Sequence, residues 1–472
     1  MKLENLIHIL IGIVCIRLLP NVQALVPPPD GGYANFTTAE GENALKNLTT
    51  GAANTAVGWY SLFTDTSGGF NTGVGAGTLV LNSGDNNTAT GVAALLLNTT
   101  GADNTANGTA TLVNNSSGGN NTAVGSFALN SNSTAFNNTA VGAGALRSNT
   151  TGQSNTAIGV GALTSNIGGG GNTATGVFAL NANDQGALNT ANGLAALQSN
   201  TSGDDNTAMG ASALNFNTTG DQNTAFGHQA LRNNIGGGAN TASGVNALLS
   251  NTDGDFNTAL GFNALNINTT GNNNIALGFS AGSNITGDNN IDIGSTGGGL
   301  EFGTIRIGQS GSQTTTFIAG IHGVTTGNMN AIPVLIDSVG QLGTMSSSRR
   351  FKHEIKPMDT ASQAILSLKP VTFNYKSDNT NTPQFGLIAE DVAAVNPDLV
   401  VRDQNAQIYT VRYEAVNAML LNEFLKAHRK MEAQQKQIDN LTARLEQQTA
   451  QIQKVSALVE AEKPAPQLVK NP

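Results

Sequence analysis

The sequence predicts a mainly β protein: a parallel β-solenoid, a short β connector, a small α+β domain and a C-terminal trimeric coiled coil. Three observations predict it. A unit opening Asn-Thr-Ala-x-Gly recurs fifteen times from Asn54 to Asn290, at seventeen-residue intervals in twelve of fourteen cases and sixteen in the other two. The period stops after Gly294, where strand-like runs between glycines take over. A heptad pattern of apolar residues then runs from about Tyr413 to Glu460.

The unit reads Asn-Thr-Ala-x-Gly-x-x-Ala-Leu-x-x-Asn-Thr-Thr-Gly, and the four residues that close it vary most. Gly stands four residues after every start, Gly58 to Gly294, and Leu eight residues after the first thirteen, Leu62 to Leu265. A unit this short cannot enclose its own core, so each copy must stack on its neighbours. Helical repeats need more than about thirty residues, and Gly costs about 1 kcal/mol in a helix. Two short extended runs between glycine turns fit instead. The recurring Leu and the third-position Ala are expected to face inward, and the first-position Asn to stack from rung to rung with amide bonded to amide. At about 4.8 Å per rung the copies make a rod of roughly 70 Å. A disordered low-complexity tract is the rival reading, but disorder requires neither a periodic Leu nor a fixed Gly.

One Leu and one or two Ala per turn make a thin interior. Burial at about 25 cal/mol per Å² must offset roughly 1.5 kcal/mol of ordering entropy per residue, so a second buried surface, and with it oligomerisation, is expected. The charge pattern agrees, because from Gly51 to Leu300 there is no Lys and no Glu, and Arg147 and Arg232 are the only Lys or Arg. No repeated carboxylate lines the units, which argues against a hydrolytic pair on the rod and against calcium-binding nonapeptides.

Residues 1–24 read as a secretory signal peptide, with Lys2, an apolar run from Leu6 to Leu19 and a small-residue end at Ala24. Arg17 interrupts the apolar run, so no membrane span is expected after its removal. The single cysteine, Cys15, leaves with this segment and the mature chain contains no disulfide. Residues 25–53 read as a stiff linker, Pro27-Pro28-Pro29, leading into an irregular first repeat near Asn35. A net charge of −9 argues against a nucleic-acid partner. The Asn-x-Thr tripeptides, such as Asn98-Thr99-Thr100, match glycosylation acceptors in form, but fit better as turn residues of the repeat.

After the solenoid (54–294), a connector (295–345) holds three strand candidates, Thr304–Gly308, Thr315–Ala319 and Ile332–Asp337. The next domain (346–412) contains a helix from about Thr360 to Leu368, opened by Asp359 or by a Thr360/Gln363 capping box and closed by Pro370. Strands Val371–Tyr375 and Phe385–Ala389 follow, then a helix from Glu390 to Asn396 ended by Pro397. In the coiled coil (413–460) one seam runs Asn417, Phe424, Met431, Ile438, Leu445, Ile452, Val459, and the second Leu420, Ala427, Gln434, Leu441, Gln448, Val455. Residues 461–472 form a tail.

Ser346-Ser347-Ser348-Arg349-Arg350-Phe351-Lys352 stands where the connector meets the α+β domain. A Ser hydroxyl becomes a nucleophile when a neighbouring base removes its proton, and Lys serves as that base when burial lowers its pKa. Here the sequence resembles the C-terminal intramolecular chaperone, or self-cleaving peptidase, domain of phage endosialidase tail spikes, whose motif is Ser-Asp-x-Arg-Leu-Lys. The resemblance continues through Leu368-Lys369-Pro370-Val371, Phe385 to Val392, Pro397 to Val400 and Tyr413. It implies Ser347 as nucleophile and Lys352, five residues on, as general base, with Arg350 and Phe351 at the Arg and hydrophobic positions. Ser348 replaces the family Asp. His353 is the neighbouring alternative base, but the resemblance selects Lys352. The repeats resemble, more loosely, the head of YadA-type trimeric autotransporter adhesins, with a longer repeat and no barrel anchor after the coiled coil.

These readings converge on a secreted or surface-exposed trimeric fibre, adhesin-like or structural, whose C-terminal domain chaperones assembly and cuts between Ser346 and Ser347. No cofactor and no metal is expected; a host, cell-surface or glycan ligand is a possible partner of the rod. The alternative is an uncleaved trimeric solenoid that binds a glycan or ice surface, its C-terminal domain a chaperone only. The fourth unit position, Val57, Val74, Thr90, Asn107, Val124, Val141, Ile158, Thr175, is too irregular for an ice lattice.

Overall fold

The computed structural model describes residues 34–322, 327, 330–337, 340–403 and 405–462. The signal peptide and proline linker expected before residue 34, and the tail from 463, lie outside the described residues. The chain divides into two units, residues 1–317 and 318–472.

The first unit is a solenoid with one parallel sheet of seventeen three-residue strands, from β1 (Thr38–Glu40) and β2 (Thr55–Val57) to β15 (Ile275–Leu277), β16 (Ile291–Ile293) and β17 (Ile305–Ile307). Each unit's Thr-Ala-x forms one strand, paired with its counterpart one rung on: Thr38 lies opposite Thr55 and Thr139 opposite Thr156. The central Ala points inward, as in the fully buried Ala56 and Ala140, while its two neighbours point outward.

Three expectations need correction. The solenoid is longer than the Asn-Thr-Ala period. Its first rung starts at Thr37, where Thr replaces Asn, in the place of the irregular first repeat expected near Asn35, but beyond Gly294 it continues to β17, which pairs with β16 in register. Each rung holds one strand rather than two, and Thr315–Ala319 forms no strand.

The remainder of each rung is turn, because alternate residues sit in the left-handed region: Gly58 at φ 126°, Tyr60 at 55° and Leu62 at 51°. Leu pays a strain of roughly 1–2 kcal/mol there. Full burial returns about 1.5–3 kcal/mol, and the turn still satisfies its amides between rungs, Tyr60 donating to the Glu42 carbonyl and Leu62 to that of Thr78, both at 2.9 Å. The inner column of Leu62, Leu79, Leu95 and their successors is fully buried against the Ala column. At the fifth position only Gly fits, since a Cβ on Gly142 would stand 2.3 Å from the Gly159 carbonyl oxygen.

Two asparagine columns hold the rungs together. The first-position Asn bonds mainly to backbone rather than amide to amide: Asn54 Oδ1 accepts from the Asn71 N–H at 2.8 Å and its Nδ2 donates to the Gly68 carbonyl at 2.7 Å. Part of this column also bonds amide to amide as expected, as where Asn104 Nδ2 donates to Asn87 Oδ1 at 3.1 Å, but the unbroken amide-to-amide ladder belongs to the twelfth position. Asn166, Asn183 and Asn200 are fully buried; Nδ2 of Asn183 donates to Asn166 Oδ1, and Nδ2 of Asn200 to Asn183 Oδ1, each at 2.8 Å. Asn98, of the glycosylation-like tripeptide, lies in this ladder with Nδ2 donating to Asn82 Oδ1 at 2.7 Å and the Gly101 carbonyl at 2.8 Å. The ladder opens on Asp65, which accepts from Asn82 and has only acceptors to offer. It ends at Asn268, because Ile285 takes the next place and leaves Asn268 Oδ1 without a partner.

The second unit opens with the antiparallel pair β18 (Leu335–Ile336) and β19 (Leu342–Gly343), the observed part of the strand expected over Ile332–Asp337. A 3-10 helix spans Asp359–Ser367 where an α-helix is expected, and neither Asp359 nor Thr360 caps it by side chain. Then come β20 (Val371–Phe373) antiparallel to β21 (Gln384–Gly386), helix α1 (Ala389–Val395), and the hairpin β22 (Val400–Arg402) and β23 (Ile408–Val411), which the sequence reading does not contain. Glu390 and Asp391 occupy the first turn of α1, where the helix dipole favours acidic groups. Helix α2 (Tyr413–Ala461) is continuous over 49 residues.

Candidate functional site

One turn of 3-10 helix, Arg349–Phe351, separates Ser347 from Lys352. The turn is closed by Phe351 N–H donating to the Ser348 carbonyl at 3.0 Å and Lys352 N–H to that of Arg349 at 3.1 Å. This fold-back shortens the path between residues five apart, and Lys352 Nζ donates to Ser347 Oγ at 3.1 Å. The Arg350 guanidinium lies over the Phe351 ring, 4.6 Å from its centroid. Ser348, before the turn, makes no side-chain cap. Both expected site residues are therefore brought together in one chain, and Lys352 rather than His353 reaches the hydroxyl. All of residues 346–360 are exposed, so a single chain does not bury the amine as a general base requires.

Behind this segment a small core gathers Val392, Leu399, Val400, Val411 and Met419, with Ile365, Leu368, Leu387 and Val416 packed against it. Helix α2 is built into that core at its N-terminal end. Tyr413 hydroxyl accepts from the Leu387 N–H at 3.1 Å, and the Arg412 N–H donates to the Leu399 carbonyl at 2.8 Å. About two and a half turns further along, a polar cluster locks the 3-10 helix onto α2. The buried Ser362 hydroxyl bonds the Glu423 carboxylate and accepts from Asn422 Nδ2 at 2.7 Å and Lys426 Nζ at 3.1 Å, while Lys426 Nζ donates to Glu423 at 2.6 Å. The Lys426 hydrogen bond, and then that of Ser362, hold the Glu423 carboxyl below its ordinary pKa. No sequence signal marks this cluster, since its members lie some sixty residues apart. In the loop between β20 and β21, Asp378 accepts from the Thr380 hydroxyl and the Thr380 and Thr382 N–H groups, which lowers its pKa to about 2.

Beyond the core, α2 presents its seams to solvent: Phe424, Met431, Ile438, Leu441, Leu445 and Ile452 are all more than half exposed. An apolar stripe at heptad spacing along a helix of this length fits a coiled coil. An apolar groove beside its start is lined by Leu368, Val371, Phe385, Tyr413, Val416 and Leu420. Among the described residues no helix is long and apolar enough to cross a membrane, and no cluster of three His, Cys, Asp or Glu is arranged to hold a metal.

The family model for the chaperone of endosialidase matches residues 347–401. The match begins at Ser347 and ends within the β22–β23 hairpin, so it contains the Ser347–Lys352 pair, the 3-10 helix and α1. This part of the chain is similar to the endosialidase chaperone, which supports a chaperone domain here. No curated protein matches the chain.

Proposed function

We propose that the protein is a secreted or surface-exposed homotrimeric fibre, with a solenoid head of YadA-like character, whose C-terminal domain aligns three chains and then releases itself by cutting the Ser346–Ser347 bond. Each strand pairs within its own chain, Thr38 with Thr55, so what three chains have to find is their register against one another. A domain that first gathers three chains raises their local concentration and fixes their register. The coiled-coil seams left open on α2, the endosialidase-chaperone match and the thin solenoid interior support this reading together.

The single observation that carries the cutting step is the 3.1 Å approach of Lys352 Nζ to Ser347 Oγ at the first residue of the family match. Ser347 Oγ attacks the carbonyl carbon of Ser346 while Lys352 takes the hydroxyl proton. The C–N bond to Ser347 breaks, Lys352 returns the proton to the leaving amine, and water hydrolyses the resulting ester to a Ser346 carboxylate. Because the pair is exposed in one chain, burial by assembly is the event that makes Lys352 a base, so cutting follows trimer formation. A second reading, a chaperone that never cuts, is favoured by Ser348 at the family Asp position.

Intact mass of the purified chain tests both. A C-terminal fragment starting at Ser347 is expected from the wild type and from His353→Ala, but not from Ser347→Ala or Lys352→Ala. The same fragment from Ser347→Ala would remove the nucleophile assignment, and an uncut wild-type trimer would leave the chaperone-only reading.

A further inference from the structure

We infer that an apolar stripe running the length of the solenoid, formed by the fourth and sixth residues of each unit, is the surface on which a second and third copy of this chain pack; the inference rests on the trimeric reading above. The stripe is uncovered in one chain, and polar residues interrupt it at a minority of rungs, among them Asn107, Thr109, Asn192 and Ser243. At the fourth position Val141, Ile158, Phe226 and Leu260 are 37–52% exposed, and at the sixth, beyond the recurring Gly, Trp59, Val160, Leu194 and Phe262 are 41–57% exposed. Charge avoids it: from Val57 to Ile293 the only titratable side chain at these two positions is His228, while Asp85, Asp204, Asp221, Asp255 and Asp288 stand on another edge of the rung. Identical faces can therefore meet without like-charge repulsion.

The stripe widens at its C-terminal end. In β15, β16 and β17 the second-position Thr gives way to Ile275, Ile291 and Ile305, so the whole outward face of these strands is aliphatic. Phe279 beside them is 77% exposed, its ring stacked on Phe262 with centroids 5.5 Å apart.

Two arguments select a copy of the same chain as the occupant. The first is charge: from Val57 to Ile293 these two positions carry no Asp, Glu, Lys or Arg, so three identical faces meet with no like-charge pair to desolvate. The stripe also repeats with the rung spacing of about 4.8 Å, and a parallel copy in register has the same spacing from first rung to last. A globular partner or a flexible ligand does not.

Hydroxyl-radical footprinting of the full-length protein, read by mass spectrometry beside a sedimentation-equilibrium run on the same sample, tests this. In a single chain Phe279 and Phe226 on the stripe are 77% and 52% exposed, and Phe70 and Phe256 off it are 67% and 62% exposed, so all four should label at comparable rates. In the trimer Phe279, Phe226 and Phe262 are expected to label several-fold more slowly than Phe70 and Phe256. A trimer in which Phe279 labels as fast as Phe256, or in which Phe70 and Phe256 are the protected pair, overturns the inference and leaves the stripe free for another ligand. A mass of one chain would instead overturn the trimeric reading beneath it.

Discussion

Removing one asparagine from the twelfth-position ladder should cost far more than the size of its side chain suggests. Asn183 is fully buried and makes three bonds: Nδ2 to Asn166 Oδ1 at 2.8 Å, Nδ2 to the Gly186 carbonyl at 2.9 Å, and Oδ1 from Asn200 Nδ2 at 2.8 Å. Asn183→Ala leaves Asn166 Oδ1 with no partner, at about 1–3 kcal/mol for a buried unsatisfied acceptor. Asn200 keeps its bond to Gly203, and the Gly186 carbonyl keeps Asn172, so these two losses are worth about 1 kcal/mol each. The sum is about 3–5 kcal/mol, before any cavity. Asn107, on the outward face of its strand, is exposed, and Asn107→Ala should stay within about 0.5 kcal/mol of wild type. Urea unfolding followed by far-ultraviolet circular dichroism, at fixed protein concentration, measures both. If Asn183→Ala unfolds at the wild-type midpoint, the ladder is not what joins the rungs and the reasoning is refuted.

Gly142→Ala places a Cβ 2.3 Å from the Gly159 carbonyl oxygen at a φ of 139°, and should lower stability by roughly 2–6 kcal/mol in the same assay. Ile438→Asp with Leu445→Asp puts charge on seam positions that are exposed in one chain but desolvated in a coiled coil; sedimentation should show loss of the trimer. Burial raises the Asp65 carboxyl above its ordinary 3.8, so its contribution to stability is complete below that pH and is lost as pH rises through the higher folded value. The difference in stability between Asp65→Asn and wild type should therefore shift in favour of wild type as pH falls from 7 towards 4. Asp378, held at about 2, contributes with the opposite sign: its stabilisation is present above pH 3.8 and fades as pH falls through about 2, which backbone amide exchange at Thr380 and Thr382 should report.

What the sequence showed about this fold depended on how local each feature is. The solenoid was legible because Leu62 and Ala56 recur with every rung and face inward each time. Its C-terminal end was not, since Ile305 continues the backbone register without the Asn-Thr-Ala signature. The single strand per rung was hidden by Leu in left-handed backbone, which ordinary propensity disfavours and only stacking stabilises. Asn183 and its column stand in the unit as its twelfth residue, but two Asn recur in most rungs and the sequence does not distinguish which of them bonds amide to amide. The pair Ser347 and Lys352 was legible through the resemblance to the endosialidase-chaperone motif, because a Ser and a Lys five apart in a polar run carry no signal of their own. The cluster of Ser362, Asn422, Glu423 and Lys426 was not, because only the docking of α2 on the 3-10 helix brings it together.

The association of three chains is most directly tested on the Ser347→Ala protein, in which the C-terminal domain and coiled coil stay attached to the solenoid. Sedimentation equilibrium across a range of loading concentrations should return three chain masses, unchanged on dilution. A mass of one chain, from material whose circular dichroism shows a folded solenoid, would contradict the account.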